Sequence, residues 1–219
     1  NSESNLAKGN KIKILNDIKL EKLGSESGTG NYNSWFFDKN ITITSDPSCS
    51  ATLTLASGNE MSLKGSHATV GEPTVTFDVP VVVEGMGCCG NEVAVLVVGN
   101  KAGCDGKVVF NKDVTNHGTL VLNNNASQPK TIAINATLTN VFDDWAAAKN
   151  KKAGAAEIYI LGESETALSV SKLVNTNGIV KAAATTINID QIFAQNGAAY
   201  QVPADLHTLA TPPTVRNVA

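Results

Sequence analysis

The sequence has very little arginine, few aromatic residues and little charge of either sign. Arg216 is its only arginine, aromatic residues make up 5% of the chain, and charged residues make up 17%. An average soluble domain carries about 25% charged residues. Arginine makes most of the bidentate contacts that proteins form with guanine and phosphate, and the net charge here is −3. The composition therefore predicts a protein that does not bind nucleic acid.

Long hydrophobic runs and the common catalytic motifs are also missing from the sequence. No stretch approaches the ~18 apolar residues of a membrane-spanning helix, so we expect no membrane-spanning segment. The sequence has no zinc-protease, P-loop or EF-hand motif. Residues 24–28 read GSESG, with glutamate where the nucleophile elbow requires serine. We therefore predict no catalytic residue, no cofactor and no metal ligand, and expect that the protein is not an enzyme.

One glycine-rich stretch matches a nucleotide-binding pattern in its letters alone. Residues 85–90, GMGCCG, fit G-x-G-x-x-G and follow a predicted strand. The dinucleotide fingerprint also requires a helix directly afterwards, because the pyrophosphate binds at the helix N-terminus. The next residues, NEVAVLVVG, are typical of a strand. We therefore interpret the glycines as a flexible turn.

The cysteines indicate the compartment in which the protein folds. An even number of cysteines in a chain rich in Asn and Thr favours disulfide bonds and an oxidising environment. Neighbouring residues of a strand point to opposite faces, so Cys88 and Cys89 would bond two other cysteines rather than each other. The disulfide candidates are Cys49, Cys88, Cys89 and Cys104, with their pairing left open. Reduced, buried thiols are the alternative.

Asn, Thr, Ser and Gly carry most of the polarity, and they alternate with apolar residues along much of the chain. Residues 51–57, ATLTLAS, alternate with the period of two that places one residue type on each face of a strand. Residues 92–98, EVAVLVV, are apolar on both faces, which predicts a central strand. The pattern from Trp35 onward predicts an all-β domain with strands in residues 40–45, 51–57, 60–65, 74–79, 80–85, 92–99, 107–114, 118–122, 131–138, 156–162, 167–174, 178–183 and 186–193.

The two ends of the chain differ from this β-rich domain, which we place at residues 35–200. In residues 1–34, lysines are interleaved with Ile and Leu, which predicts an N-terminal arm or an edge strand. Residues 201–219 contain three prolines and predict an extended C-terminal tail.

One internal segment breaks the β pattern. Residues 141–156 carry Asp143 and Asp144 near the start, alanines in the middle, and lysines before Gly154. Acids at the start and lysines at the end of a segment complement the dipole of a helix. We therefore predict one short inserted helix near residues 142–152.

The spacing of the predicted strands, about 10–13 residues from start to start, fits two architectures. A parallel β-helix places two or three strands in each coil of about 20 residues or more. A β-sandwich or jelly roll uses tight hairpins, and the Asp-Gly and Asn-Gly pairs at residues 105–106, 177–178 and 196–197 suit such turns. The scarcity of aromatic residues and the asparagine run at residues 123–125 favour the β-helix. We expect a parallel β-helix, with the sandwich as the alternative.

Residues 107–140 carry the most specific pattern in the chain. Residues 108–125 read VVFNKDVTNHGTLVLNNN, and residues 131–140 read TIAINATLTN. These two segments resemble the sequence repeats of bacterial autotransporter passenger domains. The resemblance implies a right-handed parallel β-helix that is exported across two membranes. It also implies display or release as an adhesin, a toxin or another host-interacting factor. The family has no shared catalytic motif, so the resemblance implies no functional residues.

Three functions of different classes are consistent with these patterns. The first is a secreted or surface-displayed binding protein of the adhesin type, whose partner is a host-surface protein or glycan. The second is a self-assembling subunit of an extracellular filament, surface layer or virion coat, which binds copies of itself by strand addition through its N-terminal arm. The third is a polysaccharide-acting β-helix enzyme. All three predict an extracellular or cell-surface location. The candidate acids of the enzyme are Asp78, Glu84, Asp113 and Asp190.

Overall fold

The described part of the chain is built from strands and short connections. No helix occurs in it, so the prediction of an all-β chain is confirmed for these residues. The helix predicted near residues 142–152, and the predicted tail from residue 202 onward, lie outside the described residues. The computed structural model describes residues 10–21, 33–37, 39–65, 73–85, 93–99, 106–123, 132–141, 156–161, 168–176, 178–182, 188–195 and 199–201.

The strands agree closely with the alternation of the sequence. The stretch predicted at residues 107–114 divides into two strands, because the exposed residues 111–113 form a corner. In chain order the strands are β1 (Asn10–Ile14), β2 (Ile18–Leu20), β3 (Asn33–Phe37), β4 (Ile41–Ser45), β5 (Leu53–Leu55), β6 (Glu60–Gly65), β7 (Thr74–Asp78), β8 (Val81–Val83), β9 (Val95–Gly99), β10 (Lys107–Phe110), β11 (Val114–Asn116), β12 (Thr119–Asn123), β13 (Ile132–Val141), β14 (Glu157–Leu161), β15 (Leu168–Thr176), β16 (Ile179–Ala182), β17 (Asn188–Gln195) and β18 (Ala199–Gln201).

Among the first twelve strands, each strand pairs in parallel with the strand three places later in the chain. β1 pairs with β4, β2 with β5, and β3 with β6, and the same rule continues to β12. The strands thus stack in three columns. Column one begins with β1, column two with β2 and column three with β3. Every strand pair among the described residues is parallel.

Longer strands merge columns one and two in the later part of the chain. β13 pairs with β10 through Ile132–Ile134 and with β11 through Leu138–Asn140, with an irregularity between Ile134 and Thr137. β15 and β17 stack on β13 in turn. Columns one and two therefore form an 11-stranded sheet, and column three forms a 7-stranded sheet.

This pairing disagrees with an antiparallel sandwich. β15 and β16 flank residues 177–178 and belong to different sheets, so the Asn-Gly pair does not close a hairpin between them.

β9 lies between β6 and β12, which confirms the central position predicted for residues 92–98. Residues 1–34, predicted as an arm or edge strand, contain β1 and β2 at the two ends of the 11-stranded sheet.

Stacking in register fills the interior with columns of equivalent side chains. In column one, Ile43, Phe77, Phe110 and Ile134 are all buried and are paired in successive strands. The rings of Phe77 and Phe110 stack with centroids 4.8 Å apart and planes 10° from parallel. Such a pair contributes about 0.5–1.5 kcal/mol beyond its burial. Columns two and three add Val, Leu and Ile to the same continuous core.

Three buried asparagines form a ladder through this apolar interior. Asn116, Asn140 and Asn175 are fully buried and are paired in β11, β13 and β15. Asn116 Nδ2 donates to Asn140 Oδ1 at 2.8 Å, and Asn140 Nδ2 donates to Asn175 Oδ1 at 2.9 Å. The same amides donate to backbone carbonyls at the corner that leads into column three, including those of Gly118, Ala156 and Gly178. The ladder therefore ties columns two and three together.

Glycine is required where the ladder meets this corner. A Cβ atom on Gly178 would lie 2.2 Å from Asn140 Nδ2 and 2.7 Å from Asn175 Oδ1. A Cβ atom on Gly118 would lie 2.4 Å from the carbonyl oxygen of Ala94. The backbone of the corner consequently approaches the amides closely enough to accept their hydrogen bonds.

The ladder stops at β11 with one oxygen unpaired. Asn116 Oδ1 is buried and finds no hydrogen-bond partner in the described part of the chain. The residue paired with Asn116 in the preceding strand is Val83, which is fully buried and has no donor in its side chain. An unsatisfied buried acceptor costs about 1–3 kcal/mol.

We predict that Val83→Asn is far better tolerated than Val98→Asn. Both valines are fully buried, but only an amide at position 83 can donate to Asn116 Oδ1 and extend the ladder. Val98 pairs with Leu63 and Leu122, which offer no side-chain partner. The free energy of unfolding from urea titration should fall about 2 kcal/mol less for Val83→Asn. Equal losses would contradict this account of the ladder.

Candidate functional site

A line of hydrogen-bonded polar side chains lies on the outside of the corner between columns one and two. Its members lie at the end of β7, directly after β10, and at the equivalent point within β13. Asn111 and Asn135 are exposed, and Asp78 is half-buried. We call this surface the outer polar ridge, and define it as Asp78, Asn111, Asp113, Asn135 and Thr137.

The parallel register places these side chains directly above one another. Phe77, Phe110 and Ile134 are paired in successive strands, so the residue that follows each of them occupies the same corner position. Asn135 Nδ2 donates to Asn111 Oδ1 at 2.8 Å, and Asn111 Nδ2 donates to Asp78 Oδ1 at 2.7 Å.

A second contact fixes the acid in the middle of the ridge. Asp113 Oδ1 accepts a hydrogen bond of 3.0 Å from the backbone N–H of Thr137. A carboxylate accepts about four hydrogen bonds, and the contacts within the ridge use one oxygen of Asp78 and one of Asp113. The ridge thus presents carboxylate and amide groups whose positions are set by the fold before any ligand arrives.

A second distinctive surface is the N-terminal layer, formed by β1, β2 and the residues between them. Here Ile12 is 43% exposed, Leu15 is 61% exposed and Ile18 is 37% exposed. Ile14 is the only residue of β1 that is buried. This layer consequently buries less apolar surface than the strands above it.

Polar contacts to the next layers compensate in part for this low burial. Lys13 pairs with Asp46, and Lys19 Nζ lies 2.8 Å from Glu84 Oε1. Glu84 also accepts a hydrogen bond of 3.0 Å from the backbone N–H of Ser57. Asp17 Oδ1 accepts a hydrogen bond of 2.8 Å from the N–H of Thr52.

These contacts shift the pKa values of Glu84, Lys19 and Asp46. Burial tends to raise the pKa of Glu84, but the hydrogen bonds from Lys19 and Ser57 outweigh it and hold that pKa below its ordinary value. The hydrogen bond to Glu84 raises the pKa of Lys19. Lys13 and Ser48 together hold the pKa of Asp46 far below its ordinary range.

The candidate acids of a polysaccharide-acting enzyme are distributed over the structure. Asp78 and Asp113 both belong to the outer polar ridge and contact different residues there. Glu84 follows β8 and pairs with Lys19. Asp190 lies in β17. No group of three or more His, Cys, Asp or Glu side chains in the described ranges is arranged to hold a metal ion.

Of the four disulfide candidates, Cys49 lies in the described part of the chain, and the disulfide bonds stay a prediction. Cys49 is a free, half-buried thiol whose Sγ lies 3.9 Å from the carbonyl oxygen of Ile14. Cys88, Cys89 and Cys104 lie outside the described residues. Within the portion that is described, no helix is long and apolar enough to cross a membrane.

Asn111 and Asn135 were not among the site residues predicted from the sequence. Both follow an apolar residue that ends a β-type run, in the phrases VVFN and IAIN. Aligning these two phrases would have placed both asparagines at one corner, because parallel register stacks equivalent positions. Their hydrogen bond could not be inferred without that alignment.

We predict that acid weakens the attachment of the N-terminal layer through Glu84. Because the pKa of Glu84 is lower in the folded chain, its contacts stabilise the fold above the ordinary value of 4.5. That stabilisation is lost as the pH falls through the lower folded value. Glu84→Gln should lower the thermal midpoint at pH 7, by the equivalent of about 1 kcal/mol or less, and should reduce the further loss on acidification. Glu21→Gln is the matched control, because Glu21 is more exposed and lies 3.7 Å from Lys19. Equal effects of the two substitutions would contradict the prediction.

Comparison with known proteins adds no relative to these observations. No protein-family model, curated protein or solved structure matches the chain. The resemblance of residues 107–140 to autotransporter passengers therefore stays a prediction from the residues themselves.

Proposed function

We propose that this chain is a right-handed parallel β-helix of a surface-displayed binding protein, and that its outer polar ridge contacts a glycan. The β-helix is supported by the regular pairing, among the first twelve strands, of each strand with the strand three places later in the chain. Connections between parallel strands of one sheet are right-handed in about 98% of cases. The passenger-like residues 107–140 span β10 to β13, where the buried ladder and the ridge both occur.

The parallel strand pairing of the proposed β-helix can be tested by NMR. In a parallel β-helix, Val121 in β12 has Val97 and Tyr159 as its neighbours on the two sides. Backbone NOEs from Val121 to both residues, without the close Hα–Hα contacts of antiparallel pairs, are therefore expected in solution. Antiparallel Hα–Hα contacts at Val121 would exclude the coil.

The hydrogen-bonded ridge is the observation that carries the binding function. Its amides and carboxylates are held by one another and by the backbone, so little side-chain freedom is lost when a ligand binds. Asn and Asp side chains offer the donors and acceptors that sugar hydroxyls require. Strands about 4.8 Å apart repeat these groups along a straight line, which suits an extended polymer better than a small compact ligand.

The position of this site on the outer surface is consistent with a protein that is exported from the cell. A surface built from layers presents its binding groups along the outside rather than in a pocket, as expected for an adhesin that meets a host-surface glycan. The resemblance of residues 107–140 to passenger domains supports the same location, outside the cell or at its surface.

We predict that the double substitution Asn111→Ala and Asn135→Ala weakens binding to the glycans that the wild-type protein selects on a glycan array. The loss of two fixed hydrogen-bonding groups should reduce affinity by about tenfold or more, since tenfold corresponds to 1.4 kcal/mol. The matched control is Val121→Thr, which changes an outward residue of column three without changing its shape. Glycan titrations followed by calorimetry provide the measurement.

Two results would count against the ridge as the binding surface. One is a wild-type protein that binds no glycan on the array. The other is equal affinity of the wild-type, Asn111→Ala/Asn135→Ala and Val121→Thr proteins for a selected glycan.

A further inference from the structure

The strand columns end in strands that have only one neighbour at each end of the stack. Among the strands described, β1, β2 and β3 each pair on one side only, with β4, β5 and β6. At the opposite end, β17 pairs only with β15, and β18 only with β16. Strands of this kind present backbone groups that can pair with another chain.

The N-terminal end leaves inward positions of the core uncovered. Ile12 pairs with buried Ile43, and Ile18 pairs with Leu53, which packs against the core. Both positions therefore belong to core columns, yet Ile12 is 43% exposed and Ile18 is 37% exposed. A further parallel strand at this end would cover them in the way that β1 and β2 cover β4 and β5.

The C-terminal end carries apolar residues at the same register positions. Ile189 in β17 pairs with Val170, and Ile192 pairs with Leu173. Val170 continues the column of Ile12, and Leu173 continues the column of Ile18. Strand β17 of one molecule thus has the residue pattern that would extend the core of another molecule beyond β1 and β2.

The charged residues beside Ile12 and Ile189 favour contact between an N-terminal end and a C-terminal end over contact between two N-terminal ends. Ile12 is flanked by Lys11 and Lys13, and Ile189 is flanked by Asn188 and Asp190. Meeting of two N-terminal ends would bring these lysines together across a strand pair, which is destabilising. Parallel pairing of Ile12 with Ile189 instead aligns Lys13 with Asp190.

We propose that the protein associates head to tail, with β17 and β18 of one molecule adding in parallel to β1, β2 and β3 of a second copy. The contact joins two different surfaces, so it is heterologous and generates an open chain of molecules unless it closes into a ring. This association is independent of glycan binding at the outer polar ridge, which lies on the side of the stack.

Two variants that each block one end provide the test, with the full-length chain in both. Ile12→Lys adds a third lysine to β1 at a residue that is already exposed. Ile189→Lys places a charge at the equivalent position of the C-terminal edge. Sedimentation velocity of the wild-type protein should show species that grow with concentration, whereas each variant alone should remain monomeric. An equimolar mixture should form one-to-one dimers and nothing larger, because it contains one intact end of each kind.

Several outcomes would overturn the proposal. The first is a wild-type protein that stays monomeric at all concentrations. The second is an equimolar mixture of the two variants that stays monomeric while the wild-type protein forms larger species. The third is assembly of either variant by itself. Asp190→Lys replaces Ile189→Lys if thermal unfolding shows that the latter is not folded, since it sets like charges opposite Lys13. Val121→Lys, on the outer face of column three, is the control and should assemble as the wild type does.

Discussion

The register between neighbouring parallel strands is the constraint on which the rest of this structure depends. Each residue lies beside its equivalent in the next layer, so one position of the corner repeats from strand to strand. Because the side chains of a strand alternate between two faces, a slip of one residue would turn the core outward. The buried asparagines make this register especially costly to change, since the hydrogen bonds between the amides of Asn116, Asn140 and Asn175 form only when all three residues are aligned.

The ladder also explains why polar groups are acceptable in this apolar interior. The Nδ2 groups of Asn116 and Asn140 each donate to the next amide of the ladder and to a backbone carbonyl of column three, and Asn175 Nδ2 donates to the carbonyl of Gly178, so little hydrogen-bonding capacity is lost on burial. Gly178 allows the corner backbone to approach the amides of Asn140 and Asn175. The cost falls at the end of the ladder, where Val83 leaves Asn116 Oδ1 without a partner in the described chain.

The same repetition shapes the outside and the ends of the molecule. On the outside it aligns Asp78, Asn111 and Asn135 into a hydrogen-bonded line, which gives the ridge its fixed geometry. At the N-terminal end it leaves Ile12 and Ile18 on core columns with no strand described beyond them. Ion pairs from Lys13 and Lys19 hold this end, so its attachment depends more on charge than that of the layers above.

The sequence alone determined the all-β class and the places of most strands, because alternation with a period of two is a local property. It also predicted a central strand in residues 92–99, because both faces of that stretch are apolar, and β9 (Val95–Gly99) lies there between β6 and β12. Only the tertiary structure decided that the pairs are parallel and that β15 and β16, the strands on either side of the Asn-Gly pair, belong to different sheets, because an Asn-Gly pair is equally suited to a hairpin. The partners of Asn116, Asn140 and Asn175, and of Asn111 and Asn135, were likewise decided by the fold. They lie far apart along the chain, and only the layer-to-layer register brings them within hydrogen-bonding distance.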